Sequence, residues 1–190
     1  MYKAIIFDFF DVIHTDCYHA WMRAHGHTRK GEFAEASRQL DRGDIKMKEF
    51  YQKLSLASGL PADQIETDFI KFSKIDTDMV SFIRDLHNHY PLGLLSNADG
   101  EFLRPILENY KLTSLFDVII ISSEVHIIKP DPEVFLLILK KLNIKPEEAI
   151  FIDDHEHNVE AAKSLGITGI RYLNLQQLKQ DLQHIGIKTH

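Results

Sequence analysis

The chain is short of cysteine, of basic charge and of long apolar runs, and each shortage excludes something. A single cysteine, Cys17, in 190 residues leaves no internal disulfide, so a reducing compartment, the cytoplasm, is expected. Lysine and arginine number 22 against 28 acidic residues, giving a formal net charge of -6. A nucleic-acid partner would need a basic face to displace counterions, and none is expected. A small anionic substrate remains compatible, because one metal ion and one lysine make a local positive site on an acidic surface. No apolar run approaches the ~20 residues of a membrane span. Met1-Tyr2-Lys3 leads straight into a strand, so neither a membrane partner nor a signal peptide is expected. There is no internal repeat and no low-complexity tract. The eleven histidines are many for this length but scattered, and the closing Lys188-Thr189-His190 is too short to read as a purification tag. A hydrophobic content of 44% and a charged content of 26% are ordinary for a soluble globular protein, and the length allows one core with a smaller appendage.

Four short apolar runs each end on a polar residue suited to phosphate chemistry. Ala4 to Phe7 ends at Asp8, Leu92 to Leu95 at Ser96-Asn97, Val118 to Ile121 at Ser122-Ser123, and Ala149 to Ile152 at Asp153-Asp154. Unbroken apolar runs of this length suit parallel strands buried on both faces. In open α/β sheets the ligand sits beyond the carboxyl ends of such strands.

Between the first strand and residue 75 no further buried strand is evident. That stretch reads as amphipathic helices around 18–25, 31–40, 46–57 and 61–72, the last with Pro61 in its first turn. Strand and helix then alternate, with helices at 78–87, 101–110, 132–142, 157–165 and 175–183 and a last strand near 169–172. Asp131 caps the third of these helices, with Pro132 at its first position. Alternation of this kind implies a parallel sheet with right-handed crossovers. The expected architecture is α/β: a doubly wound, Rossmann-like core of residues 1–13 and 76–190, with residues 14–75 forming a helical cap over the carboxyl edge of the sheet.

The strand-end residues carry the chemistry. A carboxylate such as Asp8 can attack phosphorus and form an acyl phosphate, splitting one difficult displacement into two easier ones. Two anions approach each other only with a cation between them. Magnesium (Mg2+) takes oxygen ligands, and Asp8, Asp154 and a backbone carbonyl of the first loop can supply them. The adjacent carboxylates Asp153-Asp154 after a buried strand are costly without a cation or donors, and they point most directly to a metal. Asn158, four residues beyond Asp154, can orient one of them from the following helix. Ser96 and Asn97 offer a hydroxyl, an amide and backbone N–H groups to phosphate oxygens. Lys129, in Ile127-Ile128-Lys129-Pro130-Asp131-Pro132, is stiffly presented and suited to the charge that builds during transfer. Taken singly, each of these is a loop cap, a turn or a solvated lysine; the set is what points to phosphoryl transfer. His155 and His157, two apart at a helix start, diverge, so zinc is not expected. With His25 and His27 they read as free surface histidines.

Together these residues resemble the haloacid dehalogenase superfamily of hydrolases, in the branch with a small helical cap after the first strand. Phe7-Asp8 with Val12-Ile13, Leu95-Ser96-Asn97, Lys129-Pro130-Asp131-Pro132 and Phe151-Ile152-Asp153-Asp154 match the four motifs in order. The resemblance implies that Asp8 is the nucleophile and that Asp8, the carbonyl of Phe10 and Asp154 bind magnesium. It further implies that Ser96, Asn97 and Lys129 hold the phosphoryl group, with Asp153 anchoring the lysine or the metal's surroundings. The implied reaction is hydrolysis of a small organic phosphate ester.

Two positions depart from the pattern. Phosphatases of the family usually carry a second aspartate two residues after the nucleophile, as general acid and base. Phe10 stands there, with Asp11 one residue further on. A positioned acid–base group is worth ~10²–10⁴ in rate, and alkyl phosphates, with their poor leaving groups, need it most. His126 stands where a glycine is more usual; it is expected to fill space beside the loop, with a replacement proton donor as the alternative. Two alternatives therefore accompany the phosphatase reading: a catalytically silent phosphate-binding protein, supported by Phe10, and a metal-independent 2-haloacid dehalogenase. Specificity is expected from cap residues around Tyr18, Trp21, Met22 and Arg42, of which Trp21 and Met22 read as packing between cap helices. The oligomeric state is not legible.

Overall fold

A computed structural model of the chain describes residues 1–188; Thr189 and His190, with which the closing tripeptide ends, lie outside the described residues. Each apolar run forms a strand: β1 (Ala4–Phe7), β2 (Leu92–Ser96), β3 (Val118–Ile121) and β4 (Ala149–Asp153), joined by β5 (Thr168–Arg171). β1, β2 and β4 are buried along their whole length, the environment that their near-continuous Ile, Leu and Phe content requires. All pairings are parallel, in the order β3-β2-β1-β4-β5. β1 is central, with Phe7 level with Leu94 on one side and Ile152 on the other. The chain leaves β1 towards β2 and β3 and later crosses back to β4, so the point where its direction reverses lies at the end of β1. Ligands of such sheets bind there.

Alternate strand residues point to opposite faces. Ile5, Phe7, Leu94 and Ile152 pack under α5 (Thr77–His87), α6 (Gly100–Asn109) and α10 (Leu175–His184). Ile6, Leu95, Ile120 and Phe151 pack under α8 (Pro132–Leu142) and α9 (Glu156–Ser164). Met79, Phe82, Ile83 and Leu86 form the buried stripe of α5, as their spacing predicts. Asp131 caps α8 by accepting the N–H of Glu133. Gly93 admits α8 closely: a Cβ there would lie 2.9 Å from the Ile138 side chain.

The segment between β1 and α5 holds α1 (Cys17–Ala24), α2 (Gly31–Arg42), α3 (Met47–Ser58) and α4 (Ala62–Phe72). These helices bury their own apolar cluster around Trp21, Met22, Phe50, Leu54, Ile65 and Phe69, so Trp21 and Met22 are packing residues. The two connections to the sheet run side by side in opposite directions. His14 bridges Ile75, Thr15 N donates to Lys74 O at 2.9 Å, and Asp76 N donates to Ile13 O at 2.9 Å.

A few local expectations are corrected. Pro61 precedes α4 as its cap instead of entering its first turn. The Ser122-Ser123 strand end is the start of a one-turn helix, α7 (Ser122–Val125), too short for periodicity to reveal. Short 3-10 turns at Thr113–Leu115 and Pro146–Glu148 likewise carry no apolar pattern of their own.

Candidate active site

Asp8 leaves β1 with its N–H donating to Ile152 O at 2.8 Å, which fixes its backbone against β4. Its Oδ1 accepts the N–H of Phe9 at 2.7 Å and meets Lys129 Nζ at 2.7 Å. The same ammonium lies 2.7 Å from Asp153 Oδ2. Both lysine and carboxylates are almost wholly withdrawn from solvent, where removing one partner of such a pair is costly.

The two carboxylates differ in their support. Asp153 accepts from Lys129, from the His155 N–H at 2.8 Å and from Asn158 Nδ2 at 3.1 Å. Burial works to raise its pKa, but the Lys129 charge and these donors outweigh it and hold the group below its usual range. Asp8 is pushed up to about 8, chiefly by burial and further by Asp153 and Asp154, against the pull of Lys129. Lys129 is raised despite its burial, because Asp153 and Asp8 flank it. Asp153 is thus the lysine's fixed counter-ion, and Asp8 is the carboxyl whose negative charge these surroundings support least without a further cation.

Asp8 and Asp153 flank one buried ammonium, and Asp154 stands near enough to raise the Asp8 pKa further, a crowding of carboxyl groups that a divalent cation would relieve. The oxygen donors of Asp8 and Asp154 suit magnesium, so the residues fit the ion expected from the sequence. Asp154 Oδ1 also contacts His155 Nδ1 at 2.9 Å.

The expected phosphate-holding residues divide. The Ser96 hydroxyl is fully buried at the end of β2 and has no hydrogen-bond partner. The Asn97 amide, expected to face phosphate, is turned to the lysine loop: Nδ2 donates to Lys129 O at 3.0 Å, and Oδ1 accepts Lys129 N–H at 2.8 Å. This reciprocal pair sets the backbone from which the ammonium projects.

A cavity of about 490 Å³ opens between these strand ends and the inserted helices. Asp8, Phe10, Asn97 and Lys129 form its floor, Tyr18, Ser37, Asp41, Phe50 and Phe69 come from the helices, and Arg29 comes from the loop before α2. Phe10 directs its ring at Phe102, with centroids 6.3 Å apart. Asp11 has a positive φ of 54° and accepts the Asp16 N–H at 2.8 Å. Arg42 is exposed and is not among the residues lining the cavity, and its carbonyl is engaged by His126 Nδ1 at 2.8 Å. His126 itself has φ of 59°, which explains why a glycine suits that position.

Of the histidines expected to be free at the surface, His157 is exposed, whereas the other three have partners. His155 and His157 both line the cavity, with ring centroids 5.4 Å apart. His25 pairs with Asp68 at 2.9 Å, and His27 stacks on Phe33. Ser37 and Asp41 escaped notice because polar residues on an amphipathic helix normally face water, and Arg29 because it lies in the loop before α2, where a charged side chain is ordinary. The available signal is faint: Ala34, Ser37 and Asp41 recur at helical spacing as a small and polar stripe.

The fold and this arrangement of strand-end residues define a class of hydrolase, and comparison with known proteins agrees. The family model of haloacid dehalogenase-like hydrolases matches residues 5–172, and the chain belongs to that family. It is 29% identical over 141 residues to a sesquiterpene phosphatase of Aspergillus oryzae, a match covering 72% of each chain. It is 32% identical over 80 residues to phosphoglycolate phosphatase of Escherichia coli, covering 42% of this chain and only 32% of that one. A haloacid dehalogenase family enzyme of Bacteroides thetaiotaomicron, solved with magnesium and inorganic phosphate, superposes with a TM-score of 0.74 at 23% identity, covering 94% of this chain and 99% of that one. The chain is therefore a phosphatase-like hydrolase. No helix among the described residues is long and apolar enough to cross a membrane.

Proposed function

We propose that the protein is a magnesium-dependent phosphatase that hydrolyses a small organic phosphate ester through a phosphorylated Asp8. The observation that carries this reading is Lys129 Nζ held 2.7 Å from both Asp8 and Asp153 at the floor of the cavity. The relatives named as phosphatases, and the magnesium and phosphate held by the Bacteroides enzyme, support it.

In this reading an Asp8 carboxylate oxygen attacks phosphorus and the ester oxygen departs. Water then attacks the acyl phosphate, releasing inorganic phosphate and restoring the carboxylate. Asp8, Asp154 and the Phe10 carbonyl would hold magnesium, which when bound offsets the repulsion between carboxylate and phosphate. Lys129 presents a charge already oriented towards the transferred group, so little reorganisation is needed during reaction. The buried Ser96 hydroxyl has a hydrogen bond to give. Asp153, with Asn158 behind it, keeps the ammonium in place, and Asn97 keeps its loop in place.

The test is turnover of 4-nitrophenyl phosphate. Hydrolysis is expected with magnesium and falls to background with EDTA or in Asp8→Asn. Activity retained in Asp8→Asn ends the proposal. The competing reading, a phosphate-binding protein without turnover, draws on Phe10 and is favoured if calorimetry shows phosphate binding while a broad ester panel shows no hydrolysis.

A further inference from the structure

We propose that Asp41, carried by the inserted helices, donates the proton to the leaving group and afterwards accepts one from water, the task that Phe10 leaves open. The proposal rests on the phosphatase reading above.

The first observation is that Asp41 is fixed to the sheet although it lies on an inserted helix. Its carbonyl accepts the Ser122 hydroxyl, and the next carbonyl, of Arg42, accepts His126 Nδ1 at 2.8 Å. Gly43 follows with φ of 77° and lies so close that a Cβ would stand 2.5 Å from Ser123 O. Three successive residues at the end of α2 are thus seated on α7, directly after β3. Asp41 therefore keeps a fixed relation to Lys129 and Asp8, with which it shares the cavity.

The second observation is that the other aspartates of the cavity are committed. Asp16 caps α1 by accepting the N–H groups of Tyr18 and His19. Asp99 caps α6 through Phe102 N–H. Asp11 feels burial, but the His19 ring and the Asp16 N–H outweigh it and hold it below its usual range. Asp41 is held by side chains instead, by a hydrogen bond with Ser37 and by an ion pair with the partly exposed Arg29, whose Nη2 lies at 3.5 Å.

The charged groups that face it are Arg29 from the loop before α2, Asp16 before α1 and Lys129 from the floor. Burial is the largest influence and pushes its pKa up to about 6, with Asp16 adding and Arg29 and Lys129 opposing. A carboxyl poised there exchanges a proton near neutral pH, as a group that must act in both directions requires.

The steps balance as follows. An Asp8 oxygen forms a bond to phosphorus while the bond from phosphorus to the ester oxygen breaks. That oxygen keeps the electron pair and takes the proton of Asp41, leaving as an alcohol. Water then attacks phosphorus, gives a proton to the Asp41 carboxylate, and displaces Asp8 as a carboxylate with release of phosphate.

The experiment compares kcat/KM on an alkyl phosphate and on 4-nitrophenyl phosphate, in magnesium, for wild type, Asp41→Asn and Asp41→Glu. Asp41→Asn is expected to lose about 10²-fold or more on the alkyl ester and less than about tenfold on the aryl ester, whose leaving group needs no proton. Rapid mixing of this variant with the aryl ester should show a burst of nitrophenol, because water attack has lost its base. Asp41→Glu should recover part of the alkyl activity. Equal losses on both esters without a burst, or equal failure of the Asn and Glu variants, would mean a structural role and overturn the proposal. A wild type that hydrolyses neither ester overturns the phosphatase reading as well, whereas a normal wild type with an unaffected Asp41→Asn sinks this inference alone.

Discussion

Gly43 approaches Ser123 so closely that the pro-Cβ direction of the glycine is filled by the serine's carbonyl oxygen, 2.5 Å from where a methyl would sit. Both neighbours of that contact carry interactions of their own, Arg42 with His126 and Ser122 with Asp41. The glycine is needed twice, for its φ of 77° and for this approach.

Gly43→Ala is therefore expected to cost about 1–3 kcal/mol of stability, from the left-handed backbone and the displaced neighbour together. Urea unfolding followed by circular dichroism measures it. An unaltered midpoint would mean that the contact is not maintained.

Asn97→Ala removes both hydrogen bonds that hold the Lys129 backbone. Leaving those half-buried groups unpaired should cost about 1–3 kcal/mol. A misplaced ammonium should lower kcat about 10–100-fold, since a small displacement of a catalytic charge has effects of that size. Full kcat with an unchanged midpoint would reject the positioning role.

Lys129→Met leaves Asp8 and Asp153 without their shared counter-charge. Turnover should fall to background. Magnesium, no longer repelled by a neighbouring ammonium, should bind severalfold more tightly by calorimetry. Weaker binding would show that the lysine does not lie close to the metal position.

Asp41→Asn makes a prediction about stability that is separate from activity. The folded-state pKa of Asp41, about 6, lies above the ~3.9 of an unfolded aspartate. The fold therefore disfavours the charged form. The site's favourable contribution is present below about pH 4 and is lost as pH rises through 6. The neutral variant should accordingly exceed wild type by about 1–3 kcal/mol above pH 6, with the difference closing towards pH 4. Chemical denaturation at pH 4, 6 and 8 measures this. A variant less stable than wild type at pH 8 would mean that the Arg29 contact outweighs the cost of burial.

The core is legible in the sequence because its physics is local. Ala4 to Phe7 and Ala149 to Ile152 are short unbroken apolar runs that suit strands buried on both faces, and a parallel sheet places their ends together. Asp8, Lys129, Asp153 and Asn158 converge for that reason. What escapes depends on docking between distant segments. Nothing near Asp41 says that α2 ends on α7, and nothing near Asn97 says that its amide turns to a loop 32 residues away. The histidines mislead in the same way: His25 reads as solvated until α4 brings Asp68 to it.

The paired passages on either side of the inserted helices have a modular consequence. Residues 13–15 and 74–76 are already hydrogen-bonded to each other like the stem of a hairpin, so whatever chain spans them needs only to begin and finish at adjacent points. A transplanted helical block, or a bare turn, grafted at that stem would leave every strand pairing in register. Such a swap would exchange what the enclosure admits while sparing the floor beneath it.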